Sequence, residues 1–370
     1  MSTSNDAIIS KAAPHTIKKF ELISNYVDGW ARKILGFGKS KGVLYIDCMS
    51  NSGIYINNGK IVEGTAIRVA KKLNDIIANY PNKKAILVFN DLSKEKIELL
   101  EQEICKLNLN SNIEVYYHYE DSSCFLHGLA LNNWENFNTL LVYDPYKAKI
   151  DWDAITPFLN TWGEVIINHM VSDTNRGASQ AKKAEVINRY EETYQKDISS
   201  IIEMGKDKEQ LEKIIESIIN RNSEKQHYIA SFPFFTRTNG LLYNLVFCTT
   251  NIEGLKLYKK TAWKLFGGKS SLKITHDDPN QLSFDFGTDF ELSKAPDSDC
   301  YTVSDIARYI FKKYKNKNAV PFDEIYNDLD MHPVFPSDGY KNEIKSELKN
   351  LGVKISGNTI AFPHRQGEVQ

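Results

Sequence analysis

The chain has 370 residues, 42% of them hydrophobic and 25% charged, with 46 Lys and Arg against 47 Asp and Glu for a formal net charge of −1. That length suits two domains, and the composition is that of an ordinary globular chain able to bury a core without disulfides or metals. Near-neutrality excludes a protein that coats nucleic acid through its total charge, but leaves room for a local basic face. No run approaches the roughly 20 apolar residues of a bilayer span. The opening MSTSNDAIISKAAPHT has no apolar secretory core, so no membrane association and a cytoplasmic location are expected. Cys48, Cys105, Cys124, Cys248 and Cys300 are scattered, with no CxxC pair and no Cys/His cluster. Reduced thiols and no metal site are expected.

In chain order, Ile17, Phe20, Ile23, Tyr26, Val27, Trp30 and Ile34 recur at helical spacing. They predict a helix over 16–35 with Thr16 as N-cap, ended by Gly36 and Gly38. Short apolar runs at 43–47, 85–90, 113–118, 139–143 and 164–168 then alternate with helical patterns at 65–78, 94–107, 124–131 and 152–160. Continuous apolar strands separated by helices predict a parallel sheet covered on both faces, a doubly wound α/β domain. The rhythm stops after Asn168. Residues 179–224 are charged and helical and read as an insertion, and 227–236 and 241–250 flank Asn239-Gly240, a type I′ hairpin signal. Five strands with helical crossovers followed by an antiparallel hairpin depart from the dinucleotide-binding pattern. They match the strand plan of class I methyltransferases, an analogy at the level of fold. Residues 277–299, with Pro279, Gly287 and Pro296, read as a linker. Helical patterns at 303–314, 322–329 and 338–351, then short strands at 353–356 and 359–362, predict a winged helix-turn-helix. The expected division is a Rossmann-like α/β domain over 1–290 and a winged helix over 300–370.

Ligands of open α/β sheets bind outside the carboxyl ends of the strands, near the switch in strand order. Those ends carry Asp47 with Gly53 in the following loop, Asp91, Glu120 with Asp121, Asp144-Pro145-Tyr146, and His169. Carboxylates at four of five strand ends suit a ligand that donates hydrogen bonds from ribose hydroxyls, an adenine amine and an amino-acid ammonium. S-adenosylmethionine has all three, which makes Asp47, Gly53, Asp91, Glu120 and Asp121 the candidate cofactor-binding residues. An Asp after a strand is equally a helix cap or an Asx-turn former. Asp144-Pro145-Tyr146 resembles the signature of amino-group methyltransferases, in which the Asp accepts a hydrogen bond from the target amine and the ring stacks on a flipped base. The usual second Pro is missing, and a Pro-bounded loop has the same look. His169, Asp173 and Arg176 follow the fifth strand and are candidates for the substrate side, or for a capped loop. Lys312, Lys313, Lys315 and Lys317 end a helix, where cations suit the dipole or meet a phosphate.

Together these residues resemble the three-Cys-motif partner (TcmP) family. The match runs from His15-Thr16-x-x-Lys19 through Tyr45-Ile46-Asp47 with Gly53, Glu63-Gly64-Thr65, Tyr143-Asp144-Pro145-Tyr146 and Asn168-x-Met170-x-x-Asp173-x-x-Arg176. It continues through the strand 243–250, Trp263-Lys264 and Gln281-Leu282-Ser283-Phe284-Asp285, so it covers roughly 15–286. The resemblance implies a class I methyltransferase-like domain that works with a partner protein carrying the three cysteines. It also implies a cofactor loop of the form Asp-Gly-aromatic-Ala-Gly-x-Gly. Here the loop departs from that form: Cys48, Met49, Ser50 and Asn51 stand between Asp47 and Gly53, and bulkier residues narrow the approach that glycines leave open. Two readings follow. One is an S-adenosylmethionine-dependent enzyme acting on a nucleic-acid base or related amine. The other is a degenerate methyltransferase fold that binds DNA, RNA or the partner protein.

Overall fold

A computed structural model describes residues 8–129, 134–160, 163–204, 207–221, 225–273, 298–315, 317 and 319–362. The linker expected at 277–299 lies almost wholly outside these residues, and the 281–285 box entirely so. Helix α1 (Pro14–Leu35) opens the fold, followed by β1 (Gly42–Asp47), a hairpin of β2 (Ile54–Asn57) and β3 (Lys60–Glu63), and α2 (Thr65–Ile77). Next come β4 (Lys84–Asn90), α3 (Lys94–Cys105), β5 (Ile113–His118), α4 (Ser122–Gly128), β6 (Phe137–Tyr143), α5 (Trp152–Leu159) and β7 (Gly163–His169). A helical stretch of α6 (Val171–Gly177), α7 (Ala184–Tyr194), α8 (Ile198–Glu203) and α9 (Asp207–Asn220) precedes β8 (Tyr228–Phe235), β9 (Leu241–Thr249) and α10 (Ile252–Leu265).

Seven strands form one sheet in the order β5-β4-β1-β6-β7-β9-β8. The first five in that order are parallel, and β9 runs antiparallel to both β7 and β8. This mostly parallel sheet with an antiparallel last strand is the methyltransferase-like Rossmann arrangement. Because β1 has β4 on one side and β6 on the other, the strand order reverses beside it. All six residues of β1 are buried. At its start a Cβ on Gly42 would stand 2.0 Å from the Lys84 carbonyl oxygen, so only glycine lets β4 come that close. Val43 and Tyr45 enter one apolar cluster with α1, α2, α3 and α10, whereas Leu44 and Ile46 enter a second with α4, α5 and the inserted helices. Alternation along β1 thus feeds both faces of the sheet.

Two local expectations are corrected and one element is added. The N-cap of α1 is Ala13, without a side-chain cap, because Pro14 takes the first helical turn, where its fixed φ and missing N–H do no harm; Thr16 lies inside the helix. The β2–β3 hairpin was not anticipated, although Asn58-Gly59, at φ 50° and 75°, carries the signal read later at Asn239-Gly240. At that later site Asn239 alone of the two is left-handed. Thr236 Oγ1 accepts from Thr238 N and Gly240 N at 3.3 and 3.0 Å, making a longer loop in place of a type I′ turn.

The C-terminal unit runs α11 (Val303–Tyr314), β10 (Val320–Pro321), α12 (Phe322–Met331), α13 (Lys341–Asn350), β11 (Lys354–Ser356) and β12 (Thr359–Ala361), with strand order β10-β12-β11. Its apolar side chains, among them Ile306, Ile325 and Leu348, join the α1/α2/α10 cluster. The tie is polar as well. Lys259 of α10 is fully buried and donates to the carbonyls of Leu329, Asp330 and His332 at 2.7, 2.8 and 2.6 Å. Trp263 Nε1 donates to Val334 O at 2.8 Å. One ammonium therefore answers the carbonyls at the end of α12.

Glu164, near the start of β7, is buried and accepts hydrogen bonds from the hydroxyls of Tyr26 and Thr249. Burial pushes its carboxyl up to about 7 against those two donors. A raised carboxyl pKa contributes stability in its protonated form, and that stability is lost as pH rises from about 4.5 through 7. Glu164→Gln should flatten the pH dependence in that window and raise stability at pH 8 by no more than about 3 kcal/mol. Urea unfolding at pH 5 and pH 8 checks this; a variant less stable than the parent at pH 8 would refute it.

Candidate functional site

The carboxyl ends of β1, β4, β6 and β7 converge on one edge, and the sequence after β1 folds tightly onto the end of β4. Ser50 N and Oγ both donate to Asn90 O, at 2.8 and 3.1 Å, while Asn90 Nδ2 donates to Cys48 O and Glu120 O at 3.1 and 3.0 Å. Asn51 takes φ 56°, the left-handed conformation that Asn tolerates better than most residues. Its N–H reaches Asp91 Oδ2 at 3.0 Å, and its side chain donates to Tyr146 Oη and to Ser10 Oγ. Gly53 sits at φ 72°, where a Cβ would also meet Leu100 Cδ1 at 2.4 Å. Cys48, Asn51 and Ser52 are fully buried. The substituted loop is therefore a packed plug rather than an open cradle.

Asp47 accepts from Met49 N at 3.2 Å and is buried; burial first, and then the nearby Asp144 carboxylate, push its pKa up to about 7. Asp144 is held on both oxygens. Lys19 of α1 forms an ion pair with Oδ2, and Asn168 Nδ2 donates to Oδ1 at 2.6 Å. Lys19 Nζ also lies 5.3 Å from the centre of the Tyr243 ring. Between the start of α1 and these strand ends is a cleft of about 180 Å³, with Lys19, Tyr55, Asp144, Tyr146, Asn168 and Tyr243 among its walls. Pro145 and Met49 also face it.

The remaining expected residues are distributed around this centre. Asp91 is tied to the loop by Asn51 and also accepts from Ser93 N at 3.0 Å, while Ser93 itself is the N-cap of α3. Asp121 caps α4 through Ser123 N and pairs with Lys149 at 3.3 Å; Glu120 is exposed, 3.7 Å from His118. His169, Asp173 and Arg176 are not among the residues facing the cleft. His169 is buried against Tyr194, its Nε2 2.9 Å from the hydroxyl, and burial lowers its pKa to about 3, so it stays neutral. Asp173 accepts from Ala148 N, Arg189 and Tyr190, bracing α7 against the loop after β6, and the exposed Arg176 bonds Ser172 O. Sequence reasoning missed Lys19 and Tyr243 as parts of the site. Lys19 carries the one signal available, a lysine on an otherwise apolar helix face, four residues after His15.

The groups at the strand ends match S-adenosylmethionine in kind: an acceptor suited to an ammonium at Asp47, and acceptors suited to ribose and adenine donors at Asp91, Glu120 and Asp121. The cleft takes less than the whole molecule, since pockets for ligands of that size run from about 300 Å³ upward, and Asn51 occupies Asp91 and Tyr146. No protein-family model and no curated protein matches the sequence. Two of the solved structures that align with it are protein LPL1258 from Legionella pneumophila and the O-methyltransferase TomG from Streptomyces achromogenes in complex with SAM. LPL1258 is 13% identical, covers 67% of this chain and 92% of its own, and has a TM-score of 0.38. TomG is 11% identical, covers 67% and 94%, and has a TM-score of 0.34. The fold assignment rests on strand order, not on these superpositions.

Lys19 is the ammonium that compensates Asp144 beside Asp47. Breaking a buried pair typically costs about 3–5 kcal/mol because a charge is left behind. Lys19→Met should therefore lower the unfolding temperature markedly at pH 8 and less at pH 5.5, where Asp47, raised to about 7, is protonated and no longer repels Asp144. Equal losses at both pH values would show that Lys19 acts through packing alone.

Proposed function

We propose that this chain is an S-adenosylmethionine-dependent methyltransferase-like protein of the three-Cys-motif partner type that acts on the amino group of a nucleic-acid base or a related amine. The observation that carries this reading is Asp144 at the end of β6, next to the reversal of strand order, facing a cleft with both its oxygens in hydrogen-bonding use. The cofactor, when bound, supplies a methyl group already activated on a sulfonium. Asp47, the backbone up to Gly53, Asp91, Glu120 and Asp121 are the residues that would hold it. Asp144 would accept an N–H of the acceptor amine and align it, Tyr146 would stack on the base, and Pro145 would keep the turn between them rigid. Asp47, poised near neutrality, is a second carboxylate near the site able to take up a proton. His169, Asp173 and Arg176 would shape the substrate side indirectly, through the inserted helices.

The helix and strand order of the C-terminal unit supports a winged helix-turn-helix and the division into 1–290 and 300–370. Lys341, Lys345 and Lys349 recur every four residues along α13, a spacing suited to phosphates of DNA or RNA. A cysteine-bearing partner protein and a cytoplasmic setting belong to the same proposal; no described helix is long and apolar enough to cross a membrane. One observation favours a second reading, a non-catalytic recognition module: the loop after Asp47 is sealed on Asp91 and Tyr146 by Asn51.

Calorimetric titration with S-adenosylmethionine and S-adenosylhomocysteine separates the two. The enzyme reading expects micromolar binding, lost in Asp47→Ala and Asp91→Ala. Asp144→Ala should retain cofactor binding and lose methyl transfer to nucleic acid by at least a hundredfold. Absence of binding at millimolar ligand, from folded protein, would select the recognition module.

A further inference from the structure

Asn168 has a polar atom that the chain leaves unanswered. The residue is 3% exposed, lies at the carboxyl end of β7 and lines the cleft. Its Nδ2 donates to Asp144 Oδ1 at 2.6 Å and to Met170 Sδ at 3.3 Å. A carboxylate only accepts, so this contact decides which end of the amide faces Asp144. Oδ1 is then a buried acceptor with no partner among the described residues. Such atoms are uncommon, and leaving one unsatisfied is destabilising. Lys19 does not answer it; its ammonium is on Asp144 Oδ2.

Strand order places this acceptor. β6 lies between β1 and β7, so the Asp47 loop flanks Asp144 on one side and Asn168 flanks it on the other. Asn168 is therefore on the side away from the loop that would hold a cofactor. The cleft beside it has aromatic walls, with Phe20 against Tyr55 at 4.7 Å between ring centres and Tyr243 stacked on Phe234 at 4.9 Å. Cavities of about 150 Å³ accommodate a benzene-sized ring, so some 180 Å³ suits one planar ring with its substituent. Two adjacent acceptors at the end of an aromatic-walled cleft call for a flat ligand with two donors on one atom.

We propose that Asn168 Oδ1 and Asp144 together read the two N–H bonds of a primary amino group on a planar heterocyclic base, so that the site prefers the free amine over its N-methyl derivative. The inference rests on the amine-acceptor reading of the cleft and adds Asn168 as the residue that sets its specificity. An N-methyl group removes one donor, leaves Oδ1 unanswered again and crowds the end of the cleft.

The test titrates the full chain calorimetrically with AMP and CMP and with their N6-methyl and N4-methyl derivatives. At least one unmethylated nucleotide should bind, with its N-methyl form at least tenfold weaker. Asn168→Ala should reduce that preference below twofold, while Asn168→Ser, which keeps an acceptor oxygen, should retain part of it; thermal melts establish that both variants fold. Equal affinity for amine and N-methyl amine, an unchanged preference in folded Asn168→Ala, or no binding of any of the four at millimolar concentration would overturn the proposal. The same preparations are titrated with S-adenosylmethionine. A preference without cofactor binding keeps Asn168 as the amine reader and removes the methyl-transfer reading, whereas cofactor binding without a preference does the reverse.

Discussion

A single ammonium, that of Lys19, makes the gathered carboxylates at one edge of this sheet tolerable. Parallel strands with buried ends bring Asp144 and Asp91 near Asp47, whose pKa is raised by burial first and then by those carboxylates. The chain meets this in three ways. Lys19 pairs with Asp144, backbone N–H groups of Asn51 and Ser93 satisfy Asp91, and Asp47 is held near neutrality by burial. The position of α1 follows from the same requirement. It must lie across the sheet so that Lys19 reaches the end of β6, while Tyr26, two turns later, reaches Glu164 at the opposite end of β7.

The second organising element is α10. It covers the antiparallel end of the sheet with Leu255, Tyr258 and Ala262 and turns Lys259 and Trp263 toward the C-terminal unit. Because Lys259 is buried and serves three carbonyls, the turn between α12 and α13 cannot leave α10 without stranding an ammonium or three acceptors. Ion pairs from Lys256 to Asp330 and from Lys260 to Asp338 flank it. The C-terminal unit is thus seated through its inter-helix turn, with α13 beyond it.

The loop after Asp47 shows how a segment with one glycine makes two left-handed turns of the backbone. Asn51 adopts the left-handed conformation and Gly53 repeats it, so the path of the backbone is kept while side chains fill the space above it. The consequence is chemical as well as steric. Asn51 binds both Asp91 and Tyr146, linking the ends of β4 and β6 across the very crevice between them. What is open is the other side of Asp144, toward Asn168 and Tyr243.

The alternation of apolar runs with helical periods determined the parallel sheet, its helices and the antiparallel close, because burial on both faces leaves a continuous apolar strand that no other packing satisfies. It also determined that carboxylates end the strands, since that is a matter of residue order alone. What the tertiary structure decided was which of them meet and what each one faces. Lys19 and Asp144 are 125 residues apart, and nothing local in either segment announces the pair. His169 and Asn168 are neighbours in the chain yet point to opposite faces of β7, one into the inserted helices and one into the cleft, because side chains on a strand alternate. A strand end names its candidates; only the packing of α1 and β9 over it says which of them a ligand can touch.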